Sequence, residues 1–221
     1  MDQLQEWITY VFDNPFADPE WYWSEDAPEW QGPPEDIPAL MAETLEHGGE
    51  LLARFSDEQL DRGFWFLVGN TPPGFTNTLV DAQIPLPSRL RALRSFVPLF
   101  EQVMAIRCSS HFSHLAEQAA ANPLNSACYM WWDLLRFPLL ELYGPAESER
   151  ALIHSEVLSI LRRLLAIPHD ACRESALHGL GHWAQHYPQA AVIIDEFLQV
   201  TPNLRPELIA YAERAKIGNV L

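Results

Sequence analysis

The chain has 221 residues, of which 48% are hydrophobic, and a formal net charge of −16. That is enough apolar material for a sizeable core and too much for a disordered chain. No apolar run nears the roughly 18–20 residues of a membrane span. Three widely spaced cysteines, Cys108, Cys128 and Cys172, include no CxxC pair, which argues against a zinc knuckle or a disulfide framework and for buried free thiols.

The charge is unevenly placed. Residues 1–62 carry sixteen Asp and Glu against Arg54 and Arg62, a net of −14, and residues 63–221 carry the remaining −2. Such a field repels nucleic-acid phosphates and anionic lipid and steers a basic protein inward. The first residues lack the basic-then-apolar layout of a secretory signal, so a cytoplasmic location is expected.

Leu4, Trp7, Ile8, Val11 and Phe12 fall at helical spacing and predict a helix over 2–13, stopped by Asn14-Pro15. Residues 14–36 have no period and carry five prolines with Phe16, Trp21, Tyr22, Trp23 and Trp30. A stretch of this kind is either a strap whose rings plug the core or a partner-binding loop with aromatic anchors. A helix resumes at Ile37 and ends at Gly48-Gly49. Ser56-Asp57-Glu58-Gln59 has the capping-box form and starts the next one. A long helix is expected from Ser88 to about Ala120, kinked or divided at Pro98. From residue 124 the density of apolar residues rises. Helices are predicted from Ala127 to Gly144-Pro145, then over 147–166, 170–186, 188–199 and 203–217. No period-2 run of useful length occurs, and short Pro or Gly turns join the helices as in antiparallel pairs.

Residues 170–199 resemble a HEAT-type repeat unit. The carrying residues are Asp170, Cys172-Arg173, Ala176 and Leu180-Gly181, followed by a second helix with Ala191, Ile194 and Leu198 facing inward. A weaker echo begins at Leu204-Arg205, and residues 126–166 form a longer, looser pair. The resemblance implies an all-α fold of stacked antiparallel helix pairs, a HEAT-like α-solenoid or an irregular helical bundle. It implies a scaffold or binder rather than a particular activity. The chain reads as one domain, with an acidic, aromatic-rich part over 1–85 and a repeat part over 86–221.

Glu174, His178, His182 and His186 recur every four residues and line one helix face. Spread over about 18 Å, they cannot all reach one ion, but adjacent members such as His178 and His182 could share one with help from elsewhere. The plainer expectation is a half-exposed polar stripe. Cys108, His111 and His114 lack a nucleophile elbow and an orienting residue. There is no phosphate-binding glycine loop, and Lys216 is the only lysine.

The expected function is therefore non-enzymatic protein binding, with no catalytic residue and no cofactor. The most concrete version is a bacterial immunity protein that neutralises a basic, nuclease-type toxin through Asp18, Glu20, Trp21, Trp23, Glu25 and Asp26. The alternatives are a metal-binding protein or metal-dependent enzyme using the His178/His182 face, and a general HEAT-like scaffold.

Overall fold

The computed structural model describes residues 2–14, 20–69, 74–115, 122–135 and 146–220, and every regular element among them is helical. Helix α1 (Gln3–Phe12) buries Trp7, Ile8, Val11 and Phe12, the stripe that its spacing marks out. Helix α2 (Ile37–Glu46) follows. Gly48 and Gly49 do not simply stop it, because they open one further helical turn, Gly48–Leu51. Helix α3 (Asp57–Val68) starts on Ser56. The Ser56 hydroxyl accepts from the Gln59 N–H at 3.2 Å, and the Gln59 carboxamide oxygen accepts from the Ser56 N–H at 3.1 Å. Two donors that the first turn would leave orphaned are thereby satisfied.

The long helix expected from Ser88 is divided. Helix α4 (Leu86–Arg94) ends at Ser95. Helix α5 then runs through Phe96–Leu99, a π-helical turn at Phe100–Met104, and Ala105–Arg107. Pro98 falls in the first turn of the new segment, where a missing N–H costs little. The helix also stops well short of residue 120. Cys108 is extended, and side chains hold the following loop away from helical geometry. Asn125 accepts from the Ser109 N–H at 3.0 Å and donates to the Ser109 carbonyl at 2.9 Å. The Glu174 carboxylate accepts from the N–H groups of Ser113 and His114, both at 2.9 Å.

Helices α6 (Leu124–Leu134), α7 (Glu147–Leu165), α8 (Asp170–Ala184), α9 (Pro188–Val200) and α10 (Pro206–Lys216) complete the order. Helix α8 is the central one and packs against α6, α7, α9 and α10. It is buried nearly all round, and two glycines let its neighbours come close. A Cβ on Gly179 would lie 2.7 Å from the Trp132 ring, and one on Gly181 would lie 2.2 Å from Val220. Tight turns join α8 to α9 and α9 to α10, so consecutive helices pack as antiparallel neighbours. Contacts of α3 with α6 and of α4 with α7 tie the first half to the second.

The echo at Leu204-Arg205 is not in register. Cys172-Arg173 lie within the first turn of α8, whereas Leu204-Arg205 precede α10. Arg205 instead donates to the Ser110 carbonyl at 3.0 Å and stacks over Phe112 at 4.1 Å. Among the described residues no helix is long and apolar enough to cross a membrane.

Candidate functional site

Two places gather chemistry. The first is a groove on the N-terminal part, lined by Tyr10, Trp21, Tyr22, Trp23, Trp30 and Phe66 with Glu25 and Glu29, and about 600 Å³ in volume. Trp21–Trp23 form a single 3₁₀ turn that lays the strap over α1 and α3. Trp21 goes down. Only 9% exposed, it meets Phe66 edge-on at 4.6 Å and Tyr10 at 5.9 Å. Tyr22 stacks on Phe66 at 5.2 Å. Trp23 turns outward and is 59% exposed. Tyr10 and Trp30, 5.6 Å apart, also line the groove.

The six residues expected to meet a partner therefore separate. Trp21 belongs to the core, because an indole between Tyr10 and Phe66 removes more apolar surface from water than it could at the rim. Trp23, Glu25 and Asp26 are exposed. Glu20 is half-buried and approaches Arg62 at 3.5 Å. Asp18 lies outside the described residues. Tyr22 and Trp30, already marked as aromatics of the strap, line the groove, and Tyr10, Glu29 and Phe66 join it without a mark in the sequence. The periodicity of α1 and α3 marks core faces, and Phe66 is itself buried, so it does not report that the strap leaves an opening above them.

Part of the acidic excess of residues 1–62 is neutralised by arginines that follow it in the chain. Arg91 meets Glu43 at 2.6 Å and Glu46 at 2.5 Å, and Arg107 meets Asp57 at 2.6 Å. Glu25, Asp26 and Glu29 have no ion pair among the described residues, so the groove keeps its negative rim. Burial raises the Tyr10 and Tyr22 hydroxyls above their ordinary range, and the nearby Glu29 and Glu20 charges push the same way.

The second place is polar and lies on α8. Glu174 is fully buried. Besides the two loop N–H groups it contacts His114 Nδ1 at 2.5 Å, so it serves as the anchor of the loop. The His114 ring stacks on Tyr211 at 4.1 Å. His178, only 2% exposed, contacts the Tyr211 hydroxyl through Nδ1 at 2.8 Å, while its Nε2 faces His182 Nε2 at 3.1 Å. His182 Nε2 is in turn 3.2 Å from Asp133 Oδ1. Burial lowers His178 to about 3 and lowers His182 as well, so both imidazoles are neutral at pH 7. The half-exposed stripe is thus graded, from fully buried Glu174 to exposed His186. The sequence marks Asp133 in one way: it is the one charged residue of Leu124–Leu134.

Cys108, Cys128 and Cys172 are free and buried. Hydrogen bonding to the other two thiols, together with burial, raises Cys128 well above its ordinary value, which makes it a poor nucleophile at neutral pH. No family model, curated protein or solved structure matches the chain.

Proposed function

We propose that this chain is a non-enzymatic binding protein whose partner is a basic protein, gripped at the aromatic groove between α1, α3 and the Trp21–Trp23 strap. The observation that carries the reading is an exposed indole, Trp23, beside the exposed carboxylates of Glu25 and Asp26, which make no ion pair among the described residues. A guanidinium or ammonium group entering between rings is attracted by their π faces. Carboxylates at the rim add long-range steering and favour a cationic partner over an anionic one. Trp23 and Tyr22 supply the contact area, with Trp21 and Phe66 as a rigid floor. Glu20, Glu25, Asp26 and Glu29 supply the field.

In its most concrete form the proposal is an immunity protein that neutralises a cationic toxin of the nuclease type, whose phosphate-binding surface would match the acidic rim. The helix pairs around α8 act in this reading as a HEAT-like scaffold, against which α3, the floor under the strap, packs through α6. Close packing at Gly179 and Gly181 supports that part. So does Arg173, whose Nε donates to the Leu165 carbonyl at 3.4 Å and ties α8 to the end of α7.

The test is to purify basic proteins encoded beside this gene and measure complex formation at low and high salt. A complex that weakens steeply with salt supports the reading. Failure of every basic neighbour to bind removes it.

A further inference from the structure

We propose that Asp133, His178 and His182 form a binding site for a divalent transition-metal ion of the zinc class. The site is on α6 and α8, away from the N-terminal groove, and stands or falls independently of it.

Spacing is the first argument. His178 and His182 are one turn apart on α8, and their Nε2 atoms face each other at 3.1 Å. Asp133 Oδ1 approaches from α6 to 3.2 Å of His182 Nε2. One ligand atom from each residue falls within 4.8 Å of the others. Ligands held by one zinc ion at about 2.0–2.2 Å in a tetrahedron stand roughly 3.3–3.6 Å apart. The three side chains thus need only small adjustments to close on an ion.

The second argument is proton placement. The Val220 carbonyl can only accept, and it takes the Tyr129 hydroxyl proton at 3.4 Å. With its proton there, Tyr129 is free to accept from Tyr211 at 3.1 Å. Tyr211, its own proton committed, accepts from His178 Nδ1 at 2.8 Å. In that arrangement His178 carries its proton on Nδ1, and Nε2 presents a bare lone pair toward His182. This is the outer-shell arrangement that orients metal-ligating histidines. A single proton on His182 Nε2 would have to serve two acceptors, His178 Nε2 and Asp133 Oδ1. A cation satisfies all three atoms at once.

Third, the ligand set selects the ion. Two imidazoles and one carboxylate suit zinc and its neighbours better than magnesium or calcium. His182 and Asp133 are partly open to solvent, at 24% and 37%, which leaves room for a water in a fourth position. The other acidic cluster, Glu43, Glu46 and His47, does not compete, because Arg91 already occupies both carboxylates.

The experiment titrates zinc chloride into the metal-free full chain by calorimetry and follows the thermal midpoint. Cobalt(II) is substituted to give a visible spectrum of the site. One equivalent is expected to bind and to raise the midpoint. Asp133→Asn and His182→Gln, both at partly exposed positions, are each expected to weaken zinc at least about tenfold, whereas His47→Gln leaves it unchanged. Absence of stoichiometric binding, or equal binding by both site variants and the parent, overturns the proposal.

Discussion

The Tyr211 hydroxyl lies 2.8 Å from Nδ1 of His178, and that contact decides which His178 nitrogen is left to point at His182. Tyr211 stays a neutral phenol, because burial and the Tyr129 hydroxyl push it far above its ordinary value. Tyr211→Phe removes the acceptor and leaves the buried His178 N–H without a partner. Stability should drop by about 1–3 kcal/mol. Zinc affinity should fall roughly 10- to 100-fold as well. Calorimetry on the variant reads both. Unaltered zinc affinity at reduced stability would confine Tyr211 to packing.

A second polar contact holds the halves of the molecule together. Arg89 is fully buried, donates through Nε to the Ile84 carbonyl at 2.9 Å, and meets Glu149 of α7 at 2.6 Å. Arg89 is the buried partner and Glu149 the half-exposed one, so removing the carboxylate strands a buried charge. Glu149→Ala should therefore cost about 2–3 kcal/mol, below the range of a fully buried pair because Glu149 is partly screened by solvent. Arg89→Met should cost less, since it leaves an apolar stem in place and Glu149 can turn to solvent. Urea unfolding of the two variants gives the order; the reverse order would contradict it.

Gly63 shows where a helix needs the absence of a side chain. A Cβ there would lie 2.2 Å from the Phe12 ring, which is itself held between Phe55 and Phe64. Alanine would gain about 1 kcal/mol in helix propensity. Overpacking a confined ring costs about 1–3 kcal/mol, so Gly63→Ala is expected to lower the thermal midpoint. A raised midpoint would mean that α1 shifts freely.

Asp61 makes stability depend on pH with a definite sign. Burial raises its carboxyl from 3.8 to about 6, against the opposing pull of the Ala127 N–H, the Trp65 side chain and Arg62. A group raised on folding contributes fully below its unfolded value, and that contribution is lost as pH climbs through its folded value. Asp61→Asn should thus be more stable than the parent at pH 8, by on the order of 1–2 kcal/mol. The gap should close as pH falls toward 4. Denaturant midpoints across that range check it, and a gap that widens in acid would contradict the assignment.

Much of the helical order was legible because it is local. The Ser56–Gln59 box, the stripe on α1 and the stop after Leu165 each rest on residues within a turn or two of one another. Pro98 correctly marked a division, which falls at Ser95, but the early end at Arg107 depends on Asn125 and Glu174 reaching back from distant helices to hold Ser109, Ser113 and His114. Trp21 and Trp23 look alike in the sequence. Which one goes down is set by Phe66, whose position is a matter of packing between elements. His178 and His182 were visible as a pair from their spacing. Asp133, 45 positions before His178, joins them only because α6 crosses α8, and no periodicity reports that.

The acidic aromatic groove is proposed above all as a seat for cationic side chains. Calorimetric titration of an arginine-rich peptide tests it, run on the parent, on Trp23→Ala and on the triple variant Glu25→Gln/Asp26→Asn/Glu29→Gln. The parent should bind with an affinity that falls steeply with salt, Trp23→Ala should bind at least about tenfold more weakly, and the triple variant should lose most of the salt dependence. Equal affinity and equal salt dependence in all three proteins would contradict it.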